Sequence, residues 1–106
     1  FVLSQNYPNP FNPTTVISYQ IPLNPPLQRG IYVTLKVYDL LGREVATLVN
    51  ERKDAGTYSV QWNASGFATG MYLVRIQAHQ TNGQRLDLSS GQAGSFIDTK
   101  KVLLMK

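Results

Sequence analysis

Cysteine is absent from the 106 residues. That excludes disulfide staples, thiolate metal sites and cysteine nucleophiles, so the core alone must hold the fold, and the redox compartment has no readout. Histidine occurs once, at His79, at the end of a strand-like run beside polar residues, where a lone imidazole is more often solvated than a general base. A serine, His79 and Asp87 could be grouped on paper, but no nucleophile elbow accompanies them. Carboxylates are few: Asp39, Glu44, Glu51, Asp54, Asp87 and Asp98. None has the D-x-D spacing of a calcium loop, and no glycosidase pair can be assigned from spacing. Gly66-Phe67-Ala68-Thr69-Gly70 lacks the lysine and the strand-to-helix context of a phosphate cradle. Apolar runs are short, such as Val102-Leu103-Leu104-Met105, against the roughly 20 residues of a membrane helix. Phe1-Val2-Leu3 carries no basic n-region or following h-region, so no N-terminal export signal is expected here. We read the chain as non-enzymatic, without cofactor or metal, and not membrane-spanning.

The ten Lys and Arg outnumber the acids and give a net charge of +4, with pI near 9.6. Such a charge suits an acidic partner such as nucleic acid or an anionic glycolipid. The bases are scattered, however, with Arg52-Lys53 and Lys100-Lys101 as the adjacent pairs. A nucleic-acid module would show a basic stripe interleaved with aromatics, so we expect no nucleic-acid partner.

What is present is the composition of one folded domain: 42% apolar and 15% charged residues, with six Tyr, four Phe and one Trp. A chain this long buries roughly two-thirds of its unfolded surface. It opens on Asn6-Tyr7-Pro8-Asn9-Pro10-Phe11-Asn12-Pro13, where each proline fixes φ and biases its predecessor toward extended geometry. That excludes a helix or a central strand. A plain linker would not need Tyr7 and Phe11, so residues 1–13 read as a docked lead-in strap anchored by both rings, ahead of a domain over residues 14–106.

Beyond the strap the apolar period is two. Ile17, Tyr19 and Ile21 share one face of a strand over Thr15–Ile21, stopped by Pro22. After a break at Pro25-Pro26 and Gly30, Ile31, Val33, Leu35 and Val37 alternate with Tyr32, Thr34, Lys36 and Tyr38. Asp39-Leu40-Leu41-Gly42-Arg43 reads as a tight turn with Gly42 at positive φ, leading into a strand over Glu44–Val49. Asn50 to Gly56 is polar and reads as a loop. Tyr58, Val60 and Trp62 face one way in the next strand, and Trp62 is the leading core residue, worth about 4 to 6 kcal/mol gross if fully buried. Following Gly70, Tyr72, Val74, Ile76 and Ala78 mark a fifth strand. His79 to Ser95 is polar apart from Leu86 and Leu88, and reads either as an extended hairpin or as a functional excursion. The last strand, Phe96–Met105, turns apolar on both faces, as in a strand buried between neighbours or one that offers an apolar face to a partner. The pattern predicts an all-β, immunoglobulin-like antiparallel β-sandwich of about seven strands.

Four stretches, in order along the chain, resemble type IX secretion system C-terminal sorting domains. They are Asn6–Thr15, then Val37-Tyr38-Asp39-Leu40-Leu41-Gly42-Arg43-Glu44-Val45, then Gly56–Trp62, and Gly70-Met71-Tyr72 with a closing Thr99–Lys106. The resemblance implies an immunoglobulin-like sandwich at the C-terminus of a larger exported protein from Bacteroidota or a related phylum. It implies delivery through the periplasm and outer membrane to the cell surface or exterior, with the translocon, an outer-membrane shuttle protein and a sortase-like peptidase as partners. The peptidase in such systems joins cargo to an anionic lipopolysaccharide. The terminal motif falls on Lys100, Lys101, Val102, Leu103, Leu104 and Lys106, the expected translocon contacts. Pro10, Phe11, Gly42, Arg43, Gly56, Trp62, Gly70 and Tyr72 are expected to define the fold. His79 to Ser95 departs from the family's shorter connection.

The leading expectation is therefore a sorting signal. The alternative is a retained structural or adhesive module that packs against neighbouring domains or copies of itself. Carbohydrate binding through Tyr32 and Tyr38 is weaker, because tyrosines on an outer sheet face are common without ligands.

Overall fold

The computed structural model describes residues 1–21, 31–80 and 95–106. Its strands are β1 (Val2–Leu3), β2 (Thr14–Ile21), β3 (Ile31–Tyr38), β4 (Glu44–Lys53), β5 (Gly56–Asn63), β6 (Gly70–Gln80) and β7 (Ser95–Leu104). They form two antiparallel sheets, β1-β2-β5 and β4-β3-β6-β7. Among the described residues the arrangement is a seven-stranded antiparallel sandwich, consistent with the immunoglobulin-like architecture. The period-two residues meet between the sheets: Ile17, Tyr19, Ile21 and Trp62 from one, and Ile31, Val33, Leu35, Val37, Tyr72, Val74, Ile76, Ala78, Val102 and Leu104 from the other, all buried. Side chains that alternate in sequence point to opposite faces of a pleated strand, so each strand gives one row to the core and one to solvent.

Two expectations need correction. The polar segment after Val49 is not a loop from Asn50, because β4 runs on to Lys53. Asn50, Glu51, Arg52 and Lys53 pair with Thr34, Val33, Tyr32 and Ile31 of β3. As an edge strand β4 needs no apolar alternation on its solvent side, so a polar run pairs as well as an apolar one. The chain then crosses to the other sheet through Asp54 and Ala55. Tyr7, in turn, is not an anchor. Its backbone bridges Val16, with Tyr7 N donating to Val16 O (3.0 Å) and Val16 N to Tyr7 O (2.9 Å). That pairing puts its ring on the outward side with Val16, 80% exposed. The Pro22 to Gly30 break and residues 81–94, with Leu86, Asp87 and Leu88, lie outside the described residues. The ends of the long segment, His79 and Ser95, pair across β6 and β7.

The strap is part of the fold. Asn6 and Thr15 are buried polar residues that satisfy each other: Asn6 Nδ2 donates to Thr15 Oγ1 (3.0 Å) and to Pro8 O (3.1 Å), and the Thr15 hydroxyl donates to Pro8 O (2.9 Å). A buried polar group without such partners would cost about 1–3 kcal/mol. Further on the strap reaches the opposite sheet. Phe11 N donates to Leu103 O (3.0 Å), Met105 N to Phe11 O (2.9 Å), and Leu103 N to Asn9 Oδ1 (3.0 Å). Gln5 Nε2 donates to Lys101 O (2.7 Å). The free edge of β7 is thus capped over its last residues.

Truncating the buried Phe11 or Trp62 to alanine should cost about 3–5 kcal/mol in chemical denaturation, whereas Tyr7→Ala should stay within about 0.5 kcal/mol. Equal losses for Phe11 and Tyr7 would contradict a strap held by one ring.

Candidate functional site

Register brings distant stretches to one end of the sandwich. Tyr38 sits opposite Leu73, Gly70 opposite Leu104, and Thr14 opposite Asn63. The Asp39–Arg43 turn, the Ala64–Thr69 loop, the Phe11–Pro13 part of the strap and the last residues therefore share that end. An aromatic cluster supports it from below. Trp62 lies 5.5 Å from Phe11, 5.6 Å from Phe67 and 5.6 Å from Tyr72 between ring centroids, the last edge-on. The Tyr72 hydroxyl donates to Ala68 O (2.7 Å), and Ala64 N donates to Pro13 O (2.8 Å), so the loop is pinned both to Tyr72 and to the strap. Of the residues expected to define the fold, Phe11, Trp62 and Tyr72 form this cluster, Pro10 leads into it, Gly70 opens β6, and Gly56 opens β5 at the far end.

The terminal motif splits by face. Val102 and Leu104 are in the core, Lys100 is half-buried beside them on the inward row, Leu103 is half-buried on the outer row, and Lys101 and Lys106 are exposed. The end of the chain is fastened: Lys106 N donates to Thr69 Oγ1 (3.1 Å) and Lys106 Nζ to Ser65 O (2.7 Å). The β7 strand offers a partner alternate residues, not a continuous peptide.

The β3–β4 turn is locked by one carboxylate. Asp39 Oδ1 accepts from Leu41 N (2.9 Å) and Arg43 N (3.0 Å), and its Oδ2 accepts from Arg43 Nε (2.8 Å). Asp39 N donates to Arg43 O (2.9 Å) and Gly42 N to Asp39 O (3.0 Å), with Gly42 at φ +87°. A side chain with a β-carbon would be strained in that left-handed conformation. The backbone amide of Arg43 foremost, then its guanidinium and the amide of Leu41, hold the Asp39 carboxyl below the usual carboxylate range. Nearby, the Thr47 hydroxyl (2.7 Å) and Lys36 Nζ (3.2 Å) hold Glu44 down as well. Between Asp39 and Gly42 the turn presents Leu40 and Leu41, 65% and 79% exposed, a feature that the turn's backbone signature does not announce.

Other candidates stay apart. Tyr32 bonds Asn50 and packs on His79, whereas Tyr38, six residues along β3, carries the Arg75 guanidinium 4.9 Å from its ring. At about 3.3 Å per residue the two tyrosines are roughly 20 Å apart and build no shared stacking platform. Among the described residues no group of His, Cys, Asp or Glu could hold a metal ion, and no helix is long and apolar enough to cross a membrane.

The chain is a small β-sandwich whose strap end carries exposed cations and leucines near an aromatic cluster, with its polar groups used to lock backbone. The family model described as "Secretion system C-terminal sorting domain" matches residues 5–86, and the chain belongs to that family, the C-terminal sorting domains of type IX secretion. No curated protein and no solved structure matches. The chain is thus a sorting signal for type IX cargo, directing a larger protein to the cell surface or exterior and interacting with the secretion machinery, in a family not known as enzymatic.

Because the folded-state carboxyl of Asp39 is depressed, its contribution to the turn is complete above the unfolded value of about 3.9 and fades as pH falls through the lower folded value. The Leu41 and Arg43 amide resonances should shift together only below that range. Asp39→Asn should abolish this acid transition in a pH titration followed by NMR.

Proposed function

We propose that the sorting signal is read as a folded surface at the strap end of the sandwich. Lys101 and Lys106 contact the translocon, Leu103 contributes from the outer row, and Val102, Leu104 and half-buried Lys100 act by holding β7 in place. What supports the reading above all is that parts of all four family-like stretches meet at one end, although they are scattered from Asn6 to Lys106 along the chain and Gly56 lies at the far end. In this reading the domain performs no catalysis itself. The translocon, an outer-membrane shuttle protein and a sortase-like peptidase are its partners, residues 1–13 form the lead-in from the cargo, and residues 14–106 carry the sandwich.

Charge reversal of the two exposed lysines, Lys101→Glu with Lys106→Glu, should strand a fused reporter in the periplasm of a type IX-competent host while the unfolding midpoint barely moves. Leu104→Ala should instead lower stability by about 2–5 kcal/mol, and its export defect should follow the unfolded fraction. Export of the double lysine variant at the wild-type level would remove the lysines from the recognised surface.

A further inference from the structure

Leu40 and Leu41 are more exposed than a fold-only role explains. They do not pack in the core, and the turn that carries them is held without their side chains, by the Asp39 carboxylate, the Arg43 backbone and Gly42. A turn closed by so many bonds to one aspartate has little freedom left to lose, which is the condition under which exposed apolar groups bind well. Behind the turn the apolar surface continues. On the outer face of the four-stranded sheet, Tyr38 neighbours Leu73, and Met71 neighbours Leu103, all half-buried, with Met105 51% exposed beyond them. Apolar groups that adjoin on an outer sheet face are the kind of surface that protein partners use.

The charges around the strip are one-sided. Lys36, Arg43, Arg75, Lys101 and Lys106 face two carboxylates, Asp39 and Glu44, and both of those are already engaged, by Arg43 and by Lys36. Arg75 and Lys101 stand exposed on the same outer face as the strip. The complementary surface is apolar in its centre and acidic at its rim. The contact also spans two parts of the fold, the β3–β4 turn and the outer face formed by β3, β6 and β7. A bilayer meets a protein along one plane, whereas a cleft can take both surfaces.

We infer that the Leu40–Leu41 turn and the strip behind it dock into an apolar, acid-rimmed cleft on a protein of the secretion machinery; this rests on the sorting reading above. The two leucines are the anchors, and Arg75 and Lys101 set the orientation. Two leucines contribute by removing apolar surface from water on docking, and the flanking cations act mainly on capture rate and specificity.

The test fuses the whole chain to a periplasm-targeted reporter in a type IX-competent host and compares wild type with Leu40→Asp/Leu41→Asp, Leu40→Ser/Leu41→Ser and Arg75→Glu. Both leucine pairs should lower extracellular reporter by about tenfold or more, with the unfolding midpoint of the purified chain unchanged, and Arg75→Glu should lower it less. The serine pair guards against an aspartate-specific effect on the turn. Wild-type export together with undiminished export of the folded leucine variants would overturn the inference and leave the sorting reading intact. A wild-type chain that is not exported would overturn the sorting reading itself, and the inference with it. Co-sedimentation of the wild-type chain with phosphatidylethanolamine–phosphatidylglycerol vesicles, lost in the leucine pairs, would overturn the protein cleft in favour of a lipid surface.

Discussion

The contact on which the remaining structure depends is the one Phe11 makes twice. Its backbone bridges β7 through Leu103 and Met105, and its ring lies against Trp62 in the core. Each backbone bond adds about 0.5–1.5 kcal/mol, and the buried ring adds a hydrophobic contribution of about 1.5–3 kcal/mol. Neither is large alone. Joined in one residue, they tie the small sheet to the edge of the large one. Without the strap, the end of β7 would be an open edge, with unpaired N–H and C=O groups ready to pair with another chain. The Asn6–Thr15–Pro8 network serves the same closure from the other side, because it holds the strap where it leaves the side of β2 and turns toward β7.

This closure bears on how a sorting label works. A label at the end of a chain is easily imagined as a peptide tag, but here Val102 and Leu104 are buried in the sandwich and the backbone of Leu103 is engaged by Asn9 and Phe11. Reading every residue of the motif in sequence order would require peeling β7 from β6 and from the strap. In the proposed reading, the surface that is read is the outer row, together with whatever lies beside it in space. Lys106 is held beside it by the Ala64–Thr69 loop, and that loop is in turn held by Tyr72. Presentation and stability are thus linked through the aromatic cluster, and damage to the core is expected to appear as a sorting defect.

The electrostatics follow the same economy of means. The two carboxylates near this end are used inward, Asp39 to close a turn and Glu44 to pair with Lys36 and Thr47. Exposed ion pairs of this type contribute little to global stability. Their effect is to leave the neighbouring Arg75, Lys101 and Lys106 as the dominant charge, beside apolar groups on a stiff support.

Much of the fold was legible in the chain itself. The alternation in Ile31–Tyr38 and Tyr72–Ala78 set the strands and their inward rows, because the period of a pleated strand is two whatever its neighbours, and Gly42 marked the turn because only that backbone conformation closes it. The family-like stretches likewise announced the sorting role. Tertiary structure decided the rest. Whether Tyr7 or Phe11 is the anchor depends on the register in which the strap pairs with β2, and whether polar Asn50–Lys53 is strand or loop depends on β3 lying alongside. That the turn, the strap, Trp62 and Lys106 share one end depends on the register of β3, β6 and β7. Local sequence encodes propensity and period, but pairing across tens of residues is set by the fit of whole sheets, and the surface offered for recognition exists only once they have closed.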